Sequence, residues 1–178
     1  MVYKMKFYVD GGCRNNGYTN AIGAAAACLK NRYGKYRIRT RVLDTDEYYA
    51  TNQRAELLAM ILALEWALER YEELDGYPRL QLTIYSDSRY AVGCLNEWMD
   101  RWVANGWMNS RGMPVANRDL IEEAYDLEDK VRDLGSVLYE YIPRSENTVA
   151  DTACNDALDD IENRRDSRED YSSSDESW

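Results

Sequence analysis

The chain has 178 residues, 45% of them hydrophobic, with a formal charge of −10 and no histidine. That length suits one domain with a proper core plus an extension. The missing histidines exclude a Ser-His-Asp triad, a His-based zinc site and a histidine general base, and no apolar run of about 18 residues is present to span a membrane. The acidity argues at first against a nucleic-acid partner, because phosphate binding is driven by Lys and Arg releasing counterions. Its placement weakens that argument: residues 159 to 178 hold eight acids and three arginines. That stretch carries −5, and residues 1 to 158 carry only the other −5. Cys13, Cys28, Cys94 and Cys154 form no C-x-x-C pair and read as free thiols of a reducing compartment. The alternating N-terminus lacks the apolar block of a signal peptide. An intracellular location, cytoplasm or nucleus, is the expectation.

Residues 2 to 9 alternate as a strand, with Tyr3, Met5, Phe7 and Val9 on one face, and end in Asp10-Gly11-Gly12. After a polar loop with an Asn16-Gly17 turn, Ile22 to Leu29 form a run of small apolar residues. Asn31 to Gly34 turn the chain into an alternating Lys35 to Leu43, which completes an antiparallel meander. A strongly apolar helix runs from about Asn52 to about Arg70, with Leu57, Ile61, Leu64 and Leu68 as its buried stripe. Its start, Thr51-Asn52-Gln53-Arg54-Ala55-Glu56, spends far more polar residues than a cap requires.

Leu80 to Tyr85 read as a strand followed by Ser86-Asp87-Ser88. A short helix to about Asn96 leads into a segment bearing Trp98, Trp102 and Trp107. Asn117 to Arg132 read as a helix, Ser136 to Ile142 as the last strand, and a final helix begins near Asn147 and carries Asp151. This order gives an α/β domain with a mixed sheet. Residues 163 to 178 lack apolar periodicity and are expected to be a disordered acidic tail following a domain of residues 1 to 162.

If a crossover helix follows the meander, the first and fourth strands are parallel neighbours. Asp10 and Asp87 then lie side by side, Glu56 faces the same rim, and Asp151 reaches it. Taken singly, Asp10 suits a turn, Asp87 a helix cap, and Glu56 and Asp151 an ordinary first helical turn. Taken together they converge in one architecture. Clustered carboxylates repel one another and raise each other's pKa, a penalty that divalent cations remove. With only hard oxygen ligands, Mg²⁺ is the expected metal and Mn²⁺ the alternative. Such a site suits in-line phosphoryl displacement with two ions.

Four motifs carry a resemblance to a known family, over roughly residues 3 to 158. They are Tyr8-Val9-Asp10-Gly11-Gly12 with Asn16-Gly17, Thr51 to Glu56, Tyr85-Ser86-Asp87-Ser88, and Asn147-Thr148-Val149-Ala150-Asp151. The chain resembles type 1 ribonuclease H. The resemblance implies an RNase H-like fold: a five-stranded mixed sheet, three strands antiparallel and two parallel, flanked by helices. It implies an endonuclease that cleaves the RNA strand of RNA/DNA hybrids with two Mg²⁺ ions held by Asp10, Glu56, Asp87 and Asp151, leaving 5′-phosphate and 3′-hydroxyl ends. It implies that Asn16, Asn52 and Gln53 contact the RNA strand and its 2′-hydroxyls, that Thr51 and Asn117 grip a DNA phosphate, and that Tyr90, Trp98 and Trp102 pack against the deoxyribose strand. The familiar loop with a catalytic-site histidine is absent. Ile142 to Asn147 looks like the shorter Pro-Arg-Glu-x-Asn variant, in which Arg144 or Glu146 is the candidate replacement. The familiar basic protrusion is diluted too, since Val103 to Arg111 hold a single cation, so modest hybrid affinity is expected. With no separate hybrid-binding domain before Asp10, extended tracking along a hybrid is not expected, and a monomer is. The competing readings are a non-catalytic nucleic-acid or protein-binding module on the same fold, and a nuclease of that fold with another duplex substrate.

Overall fold

The computed structural model describes residues 1 to 174. Five strands, β1 (Val2–Arg14), β2 (Ile22–Lys30), β3 (Tyr36–Val42), β4 (Arg79–Ser86) and β5 (Gly135–Tyr141), form one sheet in the order β3-β2-β1-β4-β5. β1, β2 and β3 are antiparallel, whereas β4 runs parallel to β1 and to β5. This is the five-stranded mixed sheet expected.

The α-helices are α1 (Asn52–Glu72), α2 (Arg89–Gly93), α3 (Met99–Asn105), α4 (Arg118–Leu134) and α5 (Thr148–Ser174). A π-helical turn, Cys94–Trp98, joins α2 to α3 without a break, so the expected short helix and Trp-rich piece are one continuous helical stretch. Arg144–Glu146 form a 3-10 turn before α5. No described helix is long and apolar enough to cross a membrane.

α1 is buried nearly all round, from Leu57, Met60 and Ile61 to Leu64 and Trp66, because the sheet lies on one side and α4 on the other. Each such side chain contributes about 1.5–3 kcal/mol relative to exposure. β2 is all Ala and Cys in its middle for the same geometric reason. Ala25 and Ala27 meet the α1 side, while Ala24, Ala26 and Cys28 meet Ala150, Ala153, Cys154 and Leu158 of α5. Small residues let both helices approach the sheet closely.

Two expectations are corrected. The first strand does not end at Asp10 but continues to Arg14, because β2 goes on pairing with it after β4 has stopped. The last helix does not give way to a disordered tail after residue 162. It continues to Ser174, and contacts with the β1–β2 region tie down part of this extension. Arg14 pairs with Asp159 and Glu162, and Arg165 donates to the Asn20 carbonyl at 2.9 Å. Residues 175 to 178 lie outside the described residues.

Candidate active site

Parallel pairing of β1 with β4 ends at Val9 and Ser86, so Asp10 and Asp87 are the first residues past the last shared rung. Asp10 remains on β1, opposite Ala26 of β2 and facing the α5 side of the sheet. Glu56 reaches the same place because of Gly11. A Cβ there would lie 2.2 Å from the Ala55 carbonyl and 2.3 Å from the Glu56 nitrogen. Only glycine lets the first turn of α1 rest on the strand. Thr51 caps α1, accepting from the Arg54 amide at 3.2 Å.

Two hydroxyl and amide groups set the rim. Ser88 Oγ donates to Glu56 Oε2 at 2.6 Å and accepts from the Ala91 amide, capping α2. Asn147 is buried and its Nδ2 donates to the Val9 carbonyl at 2.8 Å and to Asp87 Oδ1 at 3.3 Å, which pins the start of α5 to the middle of β1, where its pairing with β4 stops. Its Oδ1 is buried with no hydrogen-bond partner among the described residues. The Asp151 amide donates to the Asn147 carbonyl, one turn on, and Arg144 Nη2 donates to Asp151 Oδ1 at 2.7 Å.

The four carboxylates line one polar cavity of about 410 Å³ with Asn52, Arg14, Tyr141 and Arg144. An apolar groove of about 450 Å³ between β3 and α5 is slightly larger, but convergence of polar groups marks a site better than size does. Burial, with repulsion from Asp87 and Asp151, pushes the Asp10 carboxyl up to about 7, against the lowering effect of Arg144 and the Gly11 amide. Burial also raises Glu56, opposed by its bond from Ser88. The same field reaches Cys154, whose thiol is pushed to about 12 by burial and then by Asp10 and Asp151.

As the side chains lie, no group of three His, Cys, Asp or Glu among the described residues is set to hold a metal ion. Asp151 is turned onto Arg144 and Glu56 onto Ser88. The donor set nevertheless fits a hard cation: it is all carboxylate oxygen, and Asp10 is raised first by burial and then by repulsion from Asp87 and Asp151, both of which a bound cation would offset.

The remaining sequence candidates divide into groups. Asn52 lines the carboxylate cavity, and its Oδ1 accepts from the Cys13 amide at 2.9 Å. Asn117 links two more: its Nδ2 donates to Tyr90 Oη at 2.9 Å and to Gln53 Oε1 at 3.4 Å. Asn117 has a left-handed backbone, φ 60°, at the head of α4, and its side chain leaves the helix uncapped. Tyr90, Trp98 and Trp102 then run in a row, with ring centroids 6.4 and 5.9 Å apart. Trp98 packs on Gly93, where a Cβ would stand 2.8 Å from its ring. Asn16 sits apart, on the exposed β1–β2 turn, and Glu146 is exposed and does not line the cavity. Arg144 does.

Ser88, Asn147 and Arg54 fall within the quoted motifs, but sequence reasoning assigned none of them a role. Arg54 is only 6% exposed and makes paired bonds of 2.9 and 2.7 Å to Asp119, two residues past Asn117. It ties the head of α1 to the head of α4. A buried arginine between polar neighbours and a following apolar run gave no outward sign of that partner.

The chain is similar to known proteins. The RNase H family model matches residues 3–158. Ribonuclease H of Clostridium botulinum (strain Hall) is 31% identical over 164 residues, covering 89% of this chain and 97% of that one. Ribonuclease H of Dinoroseobacter shibae is 40% identical over 113 residues, 64% of each chain. The crystal structure of RNase H1 from the halophilic archaeon Halobacterium salinarum superposes with a TM-score of 0.57 at 22% identity, covering 89% of this chain and 99% of that one, which shows the fold. With the matched segment running from the start of β1 into α5 and embracing all four carboxylates, the chain belongs to the RNase H family.

Proposed function

We propose that the cavity hydrolyses the RNA strand of RNA/DNA hybrids endonucleolytically, leaving 5′-phosphate and 3′-hydroxyl ends. The chain's membership of a ribonuclease family supports the reaction class. The single observation that carries the local assignment is the convergence of Asp10, Glu56, Asp87 and Asp151 on one polar cavity beside Asn52. These carboxylates would hold two Mg²⁺ ions, or Mn²⁺. Bound there, the ions supply water activation and stabilisation of the leaving oxygen.

The chain's own residues do the rest. Ser88 and Asn147 fix Glu56 and Asp87. Arg144 compensates the Asp151 charge and, as the candidate replacement for the missing histidine, offers a fixed cation to a phosphate at the rim. Its guanidinium, held above its ordinary range by Asp151, stays protonated. Asn52, with Gln53 and Asn16, reads the RNA strand through its minor groove and 2′-hydroxyls, the atoms that distinguish it from DNA. Thr51 and Asn117 hold a DNA phosphate, and the Tyr90, Trp98 and Trp102 row takes the deoxyribose strand. Beside that row, a groove of about 350 Å³ is lined by Trp98, Arg101 and Trp102. Arg101 is the cation of that lining, which is little for a phosphate track.

A labelled RNA/DNA hybrid, duplex RNA and duplex DNA, each incubated with Mg²⁺ beside an Asp87→Asn control, tests this. Cleavage of the hybrid alone, abolished in the control, is expected. Cleavage of no substrate would favour a non-catalytic module. Cleavage unaffected by Asp87→Asn would remove the carboxylate assignment.

A further inference from the structure

α5 covers only part of the sheet face that carries Asp10. It packs on β1, β2 and β3, with Tyr8 and Tyr36 at the edge of its apolar contact. Beyond that edge the strands present an open surface of unusual chemistry. Met5, Phe7 and Val9 point into the core under α1, so Lys4, Lys6 and Tyr8 project the other way. The pairing registers put Lys6 opposite Lys30, Lys30 opposite Tyr36, and Tyr8 opposite Tyr85. Residues paired directly across a sheet share a face. Arg79, exposed on β4, is in step with Tyr85 and joins the same face.

This surface gathers cations on a chain whose net charge is −10. It holds three of the chain's five lysines. Among the described residues none of Lys4, Lys6, Lys30 or Arg79 is in an ion pair, although arginines elsewhere are drawn into nine. Glu140, opposite Tyr85, is the acid on the adjoining strand. The aromatic part is built, not scattered. Tyr8 and Tyr85 stack with centroids 4.8 Å apart, Tyr36 meets Tyr8 edge-on, and the Lys30 ammonium lies 5.7 and 5.6 Å from the Tyr8 and Tyr36 rings.

We propose that this open face binds single-stranded nucleic acid, with phosphates on Lys4, Lys6, Lys30 and Arg79 and unstacked bases against the tyrosine cluster. A flat sheet bearing aromatics needs exposed base faces, which a duplex hides and a single strand offers. An acidic peptide would satisfy the cations but leave the ring cluster without a stacking partner. Tyr8 lies two residues from Asp10 on the same face of β1, so the platform adjoins the cavity from the side opposite α1. It is separate from the Tyr90, Trp98 and Trp102 row, and does not depend on the cleavage reaction.

The test is fluorescence anisotropy of labelled oligo-dT and oligo-U with the full chain in EDTA, titrated across salt. Lys4→Glu/Lys6→Glu should weaken binding tenfold or more, and the log-log salt slope should fall by about 1.4 for two lost phosphate contacts. Tyr85→Ser should weaken it at least fivefold. Trp98→Ala/Trp102→Ala should leave it unchanged, and the lysine variants should cleave hybrid at the wild-type rate. Melting confirms the fold, and Lys4→Gln/Lys6→Gln decides if charge reversal perturbs it. Unchanged affinity in the lysine variants overturns the proposal, as does loss of binding in the tryptophan variant. Displacement by poly-glutamate as effective as by unlabelled oligonucleotide also overturns it, in favour of an acidic protein partner.

Discussion

Asp10 shows how one residue couples fold to chemistry. Its carboxyl is held at about 7 against an ordinary 3.8, so between those values the folded chain keeps a proton that the unfolded chain has released. Stability of the metal-free chain therefore falls as pH rises through that window. Asp10→Asn removes the burden. In EDTA at about pH 8 it should stabilise by on the order of 2 kcal/mol after allowance for solvent screening, or roughly 4–8 °C in Tm. Mg²⁺ should raise the Tm of the natural chain and not of this variant; the reverse pattern would remove Asp10 from the metal site. Gly11 makes the opposite kind of demand. Gly11→Ala would drive a methyl into the α1 backbone, and neither strand nor helix can retreat without opening the core. A loss of about 3 kcal/mol or more is expected in urea unfolding, with hybrid cleavage reduced because Glu56 is displaced.

Among the elements, α1 and α4 depend on a pair that spacing alone leaves hidden. Arg54 is nearly buried, while Asp119 is 40% exposed at its side chain, so the bridge is worth less than a fully buried one. Arg54→Met should cost about 2 kcal/mol by urea unfolding, and Asp119→Asn added to it should cost little more. The Asp119 carboxyl is held below its usual range, first by its bonds from Arg54. The contribution is present above that range and is lost as pH falls through the depressed value. Much of the architecture was legible in the chain because alternation and helical spacing are local signals: Met5, Phe7 and Val9 in β1, Leu57, Ile61 and Leu64 in α1. The strand neighbours followed from topology, and with them the meeting of Asp10 and Asp87. What was not legible depends on three-dimensional partners. The extension of β1 to Arg14 is set by β2, the persistence of α5 by Arg14 and Asn20, and the roles of Ser88 and Asn147 by atoms 32 and 138 residues away.

At the scale of the molecule, charge is segregated. α5 carries much of the acid, and its Asp159 and Glu162 occupy Arg14, a cation at the edge of the carboxylate cavity. Deleting residues 163 to 178 removes five acids and three arginines, shifting the net charge from −10 to −8. Hybrid binding at low salt should tighten about twofold, an advantage that fades as the Debye length shortens to about 8 Å near physiological ionic strength. Anisotropy with Ca²⁺ in place of Mg²⁺ measures it, and unchanged affinity at low salt would show that the extension does not repel substrate.

The π-helical turn between Gly93 and Met99 has a consequence for how this chain tolerates insertion and deletion. In an uninterrupted α-helix of about 100° per residue, Trp98 and Trp102 would point roughly 80° and 120° away from Tyr90. Accommodating one extra residue in the turn brings those angles to about −20° and +20°. The π turn thus absorbs one extra residue and keeps the aromatic row in line. Deleting Glu97, which is exposed, should regularise the helix and hold both tryptophans in line, because offsets of seven and eleven residues give the same angles of about −20° and +20°. Inserting one alanine after Glu97 should instead swing both out of line and weaken hybrid binding while leaving the carboxylates untouched. The reading frame of this one helix, more than the identity of any ring in it, then decides whether three aromatic side chains act as a surface or merely as neighbours.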